Sequence, residues 1–263
     1  MAVTCWADCI GGCSSIQSRE HYVSKGLFEG DSIKLKGLPW CKVDEKTIGL
    51  DAAASKILCK THNERLSKLD DEAIRAFRAL REIFSLRARQ EKMDPRYWKV
   101  RTWRLNGRLL ERWFLKTLIN LGQVQTQAFA WPGMTEPRVP VLEAVQACFG
   151  LAPIRSPRGL YAAAAVGHRV DSHDYVSFSP ITETSSQAMI GGAFEFRGFR
   201  FVLAWTDSDL RPFIRRLGES VETFTGWRNS DLMHPFRGVN FTVGNRRSQT
   251  LQIVWPPFKA EQQ

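Results

Sequence analysis

Nowhere in these 263 residues does an apolar run reach the roughly 18 to 20 residues that a bilayer-spanning helix needs, so the sequence offers no membrane span. The start, MAVTCWADC, lacks the basic-then-apolar order of a secretory signal. No repeat of fixed period and no low-complexity tract occurs, which excludes solenoids and fibrous arrays. These absences predict a globular, cytoplasmic chain, and 43% hydrophobic content is enough to build a core. Disulfides are rare in that compartment. Six cysteines therefore predict free thiols or metal ligands instead of a covalent framework.

Charge of one sign is in surplus, at a formal +10, and the surplus is unevenly spread. Residues 67–135 hold 14 Lys/Arg against 7 Asp/Glu, whereas the flanking segments are close to balanced. A stretch this basic predicts a polyanion partner, because each cation near a phosphate releases condensed counterions. A solvated helical face is the plainer reading.

The first 60 or so residues are short, Gly-punctuated and Cys-bearing. Asp31 to Leu35 alternates like a hairpin strand, and Tyr22 to Phe28 is expected to begin another hairpin. After Asn63 the period changes: Leu66, Leu69, Ala73 or Ile74, Phe77, Leu80 and Phe84 form one helical stripe ending before Pro95. Arg75, Arg78, Arg81, Arg87 and Arg89 fill its other face. A second helix is predicted from about Arg108 to Leu121, buried through Leu110, Trp113 and Phe114, with Arg108, Arg112 and Lys116 exposed. Between these helices, Tyr97, Trp98 and Trp103 interleave with Arg96, Lys99, Arg101 and Arg104, as a surface that stacks on bases and touches phosphates would. Such aromatics also plug cores. From Pro132 the sequence passes through a linker-like stretch to a short helix, Val141 to Phe149, closed by Gly150. β-Like runs follow at Tyr175 to Ser179, Ala193 to Trp205, Asn240 to Val243 and Leu251 to Trp255, predicting a β-rich α+β unit.

Zinc in structural sites takes four Cys or His ligands, delivered as two close pairs from separate turns. Cys59-x2-His62 is one such pair. Cys5, Cys9 and Cys13 compete for the other, and Cys9 with Cys13 is preferred because Gly11 and Gly12 lie inside their turn; Cys5 with Cys9 is the alternative. Glu20-His21 places a carboxylate and an imidazole on opposite faces of an extended segment. A carboxylate can hold a metal while a near-neutral imidazole takes a proton from water.

With CIGGC, SREH and LCKTHN read together over about residues 5–75, the sequence resembles the HNH endonuclease family in its zinc-stabilised form. The resemblance implies an α+β fold with a small ββα-metal, HNH-like domain over residues 1–75. Charge, periodicity and alternation add a basic helical segment over 76–131 and a β-rich α+β C-terminal domain over 132–263. The resemblance further implies that Cys9, Cys13, Cys59 and His62 bind structural zinc. Glu20 and Asn63 would hold a catalytic magnesium or manganese ion, with His21 as general base for phosphodiester hydrolysis. DNA is the expected partner, gripped by Arg75, Arg78, Arg81, Lys99, Arg101 and Arg104. Two departures stand out. His62 replaces the usual fourth thiol, and Ala54 stands where the family's middle Asn lies, so Asp51 or Ser55 would take over its work.

A module that keeps the zinc and binds nucleic acid or assembles with proteins, without cutting, is the competing reading. A third gives recognition of a protein partner or ligand to the C-terminal domain. Asp70, Asp71 and Glu72 read as charge balance on the first helix, His168 and His173 beside Asp171 and Asp174 as a polar loop, and Cys41 and Cys148 as small core or free thiols.

Overall fold

The computed structural model describes residues 5–36, 41, 44–124, 130–132, 134, 139–165, 175–183, 185–196, 199–208, 231–232, 236–243 and 246–261. His168, Asp171, His173, Asp174 and His234 fall outside the described residues. In chain order the strands are β1 (Gln17–His21), β2 (Ser32–Lys36), β3 (Lys46–Gly49), β4 (Ala54–Cys59), β5 (Arg101–Asn106) and β6 (Gly159–Ala165). They continue with β7 (Tyr175–Thr182), β8 (Met189–Phe196), β9 (Phe199–Ala204), β10 (Asp231–Leu232), β11 (Phe236–Val243) and β12 (Arg246–Val254). The α-helices are α1 (Lys60–Gln90), α2 (Gly107–Val124) and α3 (Leu142–Cys148). Helix and strand mix throughout, as an α+β chain requires, and no described helix is long and apolar enough to cross a membrane.

β1 and β4 form a two-stranded antiparallel pair, with Gln17 opposite Cys59 and His21 opposite Ala54. The chain runs from β4 straight into α1. The 31 residues of α1 span about 46 Å at 1.5 Å per residue. Its predicted stripe is buried, from Leu66 through Phe84, joined by Ala76, Ala79 and Ile83.

The other two sheets cross the boundaries drawn from sequence. Seven strands take the order β10-β6-β9-β8-β7-β2-β3, in which β2 from the N-terminal segment pairs parallel with β7. Three strands take the order β11-β12-β5, in which β5 from the basic segment pairs parallel with β12. The run Ala193 to Trp205 is two strands of an antiparallel hairpin, β8 and β9. Tyr22 to Phe28 does not begin a hairpin: β1 ends at His21, a short 3-10 turn covers Lys25–Leu27, and the hairpin partner of β2 is β3.

Helix α2 touches α1, α3 and strands of both larger sheets. Its Trp113, Phe114, Leu115, Leu118 and Ile119 belong to the main core. Gly107 opens the helix where a Cβ would sit 2.3 Å from the Trp255 ring, so only glycine fits beneath that indole. Covered from several sides, α2 has no exposed residue among those whose burial is described. Arg112 is 9% exposed and Lys116 2%, which corrects their predicted exposure.

Candidate metal centre

Four side chains from three separate turns converge at the junction of β4 and α1. Cys59 ends β4 and caps α1, His62 lies in the first turn of α1, and Cys5 and Cys13 flank a 3-10 turn over Asp8–Ile10. Backbone bonds dock that N-terminal turn: Trp6 N–H donates to the Ile57 carbonyl at 3.1 Å, and Lys60 N–H to the Ile16 carbonyl at 2.8 Å. Gly11 and Gly12 follow at φ of 72° and 75°, the left-handed region that favours glycine, and return the chain so that Cys13 comes back to Cys5.

His62 Nδ1 lies 3.3 Å from the Cys5 sulfur, 3.5 Å from that of Cys13 and 3.3 Å from that of Cys59. All four donor atoms lie within 4.8 Å of one another. Hydrogen bonding cannot account for this, since one ring nitrogen has one lone pair or one proton and three sulfurs share it. A tetrahedral ion does account for it. Zinc bonds of about 2.3 Å to sulfur and 2.0 Å to nitrogen put adjacent ligands about 3.5 Å apart. The group could hold a metal ion such as zinc, and four protein donors would leave no open position for substrate.

Without an ion, burial raises the Cys5 and Cys13 thiols, whereas the settings of Cys59 and His62 suit ligation. Burial raises the Cys59 thiol, but the backbone N–H groups of His62 and Ser14 and the Ser14 hydroxyl outweigh it and hold the group below its ordinary value. Burial, helped by the Arg65 charge, keeps the His62 imidazole below its ordinary value and so neutral, as a ligand must be. Phe149, 1% exposed, packs edge-on against His62 with ring centroids 5.2 Å apart. That contact brings the end of α3 over the cluster.

Cys9 is the correction. It lies within the 3-10 turn, exposed, and outside the cluster; Cys5 takes the place predicted for it. Cys13, Cys59 and His62 are where the spacing put them. The four-residue steps of Cys5, Cys9 and Cys13 carried no signal that could separate the first two.

Glu20, His21 and Asn63 are not brought together by any hydrogen bond or ion pair among the described residues. Glu20 is 5% exposed and turned inward; its Oε1 lies 2.6 Å from Lys116 Nζ and accepts from Asn120 Nδ2 at 3.0 Å. Lys116 Nζ also donates to both oxygens of Asp70 at 2.8 Å. Ser24 donates to Asp70 and accepts from Trp113 Nε1 at 2.8 Å, and Asn120 accepts from Trp6 Nε1 at 3.1 Å. Burial lifts the Glu20 carboxyl above its ordinary value, while the two carboxylates outweigh burial and raise the Lys116 ammonium. Sequence reading missed this network, since Lys116 and Asn120 lie about a hundred residues from Glu20. Asp70 thus belongs to it, Glu72 is buried and accepts from the Asn106 N–H at 2.6 Å, and only Asp71 is exposed.

His21 lies on the other face of β1, with Nε2 4.0 Å from Asp51 Oδ1 and its side chain 25% exposed. Burial and the neighbouring Lys25 depress its pKa, so the ring is neutral. Asn63 Nδ2 donates to Ser18 Oγ at 2.8 Å. Asp51 stands over the end of β1, accepting from Lys25 Nζ at 3.0 Å and, through its carbonyl, from Arg19 at 2.7 Å. Ser55 is bonded to Tyr22.

Of the basic residues, Arg75 pairs with Glu72 at 2.6 Å and donates to the Arg104 carbonyl at 3.0 Å, joining α1 to β5. Arg81 is tied to Glu29 and to the Leu27 carbonyl. Arg78, Lys99, Arg101 and Arg104 are exposed. No protein-family model, no curated protein and no solved structure matches this chain.

Proposed function

We propose that the chain is a zinc-stabilised module of the HNH type, in which the ion holds the fold and the exposed basic residues of α1 and β5 bind nucleic acid. The observation that carries this reading is the convergence of three sulfurs on His62 Nδ1 where an antiparallel strand pair enters a helix, the order of a ββα-metal unit. Closure of the cluster by four protein ligands supports a structural role for the metal. Glu20 supports the binding role over cleavage: a divalent ion there would have to displace Lys116 and leave a buried ammonium short of a partner.

Phosphodiester hydrolysis is the second reading, and His21 favours it. A neutral, partly exposed imidazole flanked by Lys25 and Arg19 suits a base that takes a proton from water beside a phosphate. Asp51, 4.0 Å from His21 Nε2, is then a candidate to help hold magnesium or manganese, together with Asn63 as the resemblance implies.

Purified protein should carry close to one zinc per chain and bind DNA with strong salt dependence. Incubation of plasmid with wild type and His21→Ala, in magnesium and in manganese, separates the readings. Intact plasmid with both proteins supports the binding module. Nicking by wild type that is lost in His21→Ala overturns it in favour of the nuclease.

A further inference from the structure

We propose that the turn over residues 93–100, with β5 and the first residues of β12, forms a platform for single-stranded nucleic acid; the proposal rests on the nucleic-acid reading above and narrows its ligand. Six large hydrophobic side chains are exposed among the described residues, and three of them fall here: Met93 at 46%, Tyr97 at 70% and Val100 at 51%. Most aromatic rings of the chain that are described are packed away, so an open tyrosine face is unusual in this molecule. Trp98 lies beside it, its indole N–H donating to the Met93 carbonyl at 3.2 Å.

The turn is built ahead of any ligand. Asp94 accepts from the Arg96 backbone N–H at 2.9 Å and from its guanidinium at 3.1 and 2.7 Å. A backbone already set in its turn costs little further ordering when a base stacks on the ring it carries.

Cations flank the turn from two distant parts of the chain. β5 is the edge strand of its three-stranded sheet among the described residues and exposes Arg101 and Arg104. Its parallel register sets Gln249 opposite Arg101, which brings the exposed Arg246 and Arg247 alongside the turn. Arg246 is close enough that its charge helps depress the Asp94 carboxyl. The carboxylates at this surface are already engaged, Asp94 with Arg96 and Glu82 with Arg101 at 3.9 Å. Lys99, Arg246 and Arg247 have no ion-pair partner among the described residues. Cations alone would suit any polyanion. An exposed ring on a turn flanked by cations suits a strand whose bases are unpaired, because a duplex hides the base faces that stacking needs.

The test uses the full zinc-loaded chain with a fluorescein-labelled oligothymidylate, a duplex of equal length and polyglutamate as competitor, with calcium in place of magnesium. Wild type should prefer the single strand. Tyr97→Ala should weaken that binding by about tenfold, the size expected for one lost base–aromatic stack, while leaving the duplex unchanged and Tyr97→Phe intact. Arg247→Gln should reduce the salt slope by about 0.7. Equal binding of the duplex, full competition by polyglutamate, or an unaltered Tyr97→Ala would each overturn the proposal. Plasmid nicking by wild type and His21→Ala is scored separately, so a failure of the platform is distinguishable from a failure of the module's assigned role.

Discussion

Cys5 and Cys9 are the same residue type four positions apart, yet only Cys5 faces His62. Cys9 lies within the 3-10 turn that follows Cys5 and is exposed, and two left-handed glycines bring Cys13 back instead. Cys5→Ser should therefore lower zinc content and cost on the order of 3 kcal/mol, about a quarter of the folding energy that a structural zinc supplies. Cys9→Ser should leave zinc content and thermal midpoint unchanged, as metal analysis and thermal melts of the two variants will reveal. At Glu111 burial pushes the carboxyl up to about 7 from an ordinary 4.5, against the backbone N–H of Leu160. A folded-state pKa above the unfolded one means that protonation favours the folded form. That stability is full below about 4.5 and is lost as pH rises through about 7. Glu111→Gln keeps an oxygen for the Leu160 N–H and stays neutral. Its unfolding free energy in urea should stay flat over that window while that of the wild type falls by an amount on the order of 3 kcal/mol.

Both long helices were legible from apolar spacing, because a stripe at three- and four-residue steps has no other way to be buried. What the spacing of α2 could not reveal was that its polar side is also covered. Lys116, on the side expected to meet water, instead bridges Glu20 and Asp70 inside the core. Breaking a buried charge pair from one side leaves the partner uncompensated. Lys116→Met should cost about 3 to 5 kcal/mol in urea unfolding. Adding Glu20→Gln and Asp70→Asn to it should recover part of that loss, because the stranded carboxylates are then gone. Recovery would also mean that Glu20 serves the fold more than it serves a catalytic ion.

The whole molecule is sewn together by strands that return late to early partners. β2 needs β7, β5 needs β12, and Phe149 lies against the metal cluster. A chain ending at residue 132 would lose these and leave β2 and β5 as open edges, so it should aggregate or exchange its amides freely even with zinc present. A soluble, zinc-loaded fragment with protected α1 amides would mean that the N-terminal unit is independent. The sequence by itself determined the mixed helix and strand content, the two long helices, the pairing of Cys59 with His62 and the basic middle. Each depends on local period, spacing or composition, which a linear chain displays. Tertiary structure alone decided that Cys5 joins the cluster, that Lys116 and Asn120 hold Glu20, and that β12 runs beside β5 and carries Arg246 toward Asp94. Those neighbours are set by how sheets and helices close over one another, and contacts across dozens of residues or more leave no period in the sequence.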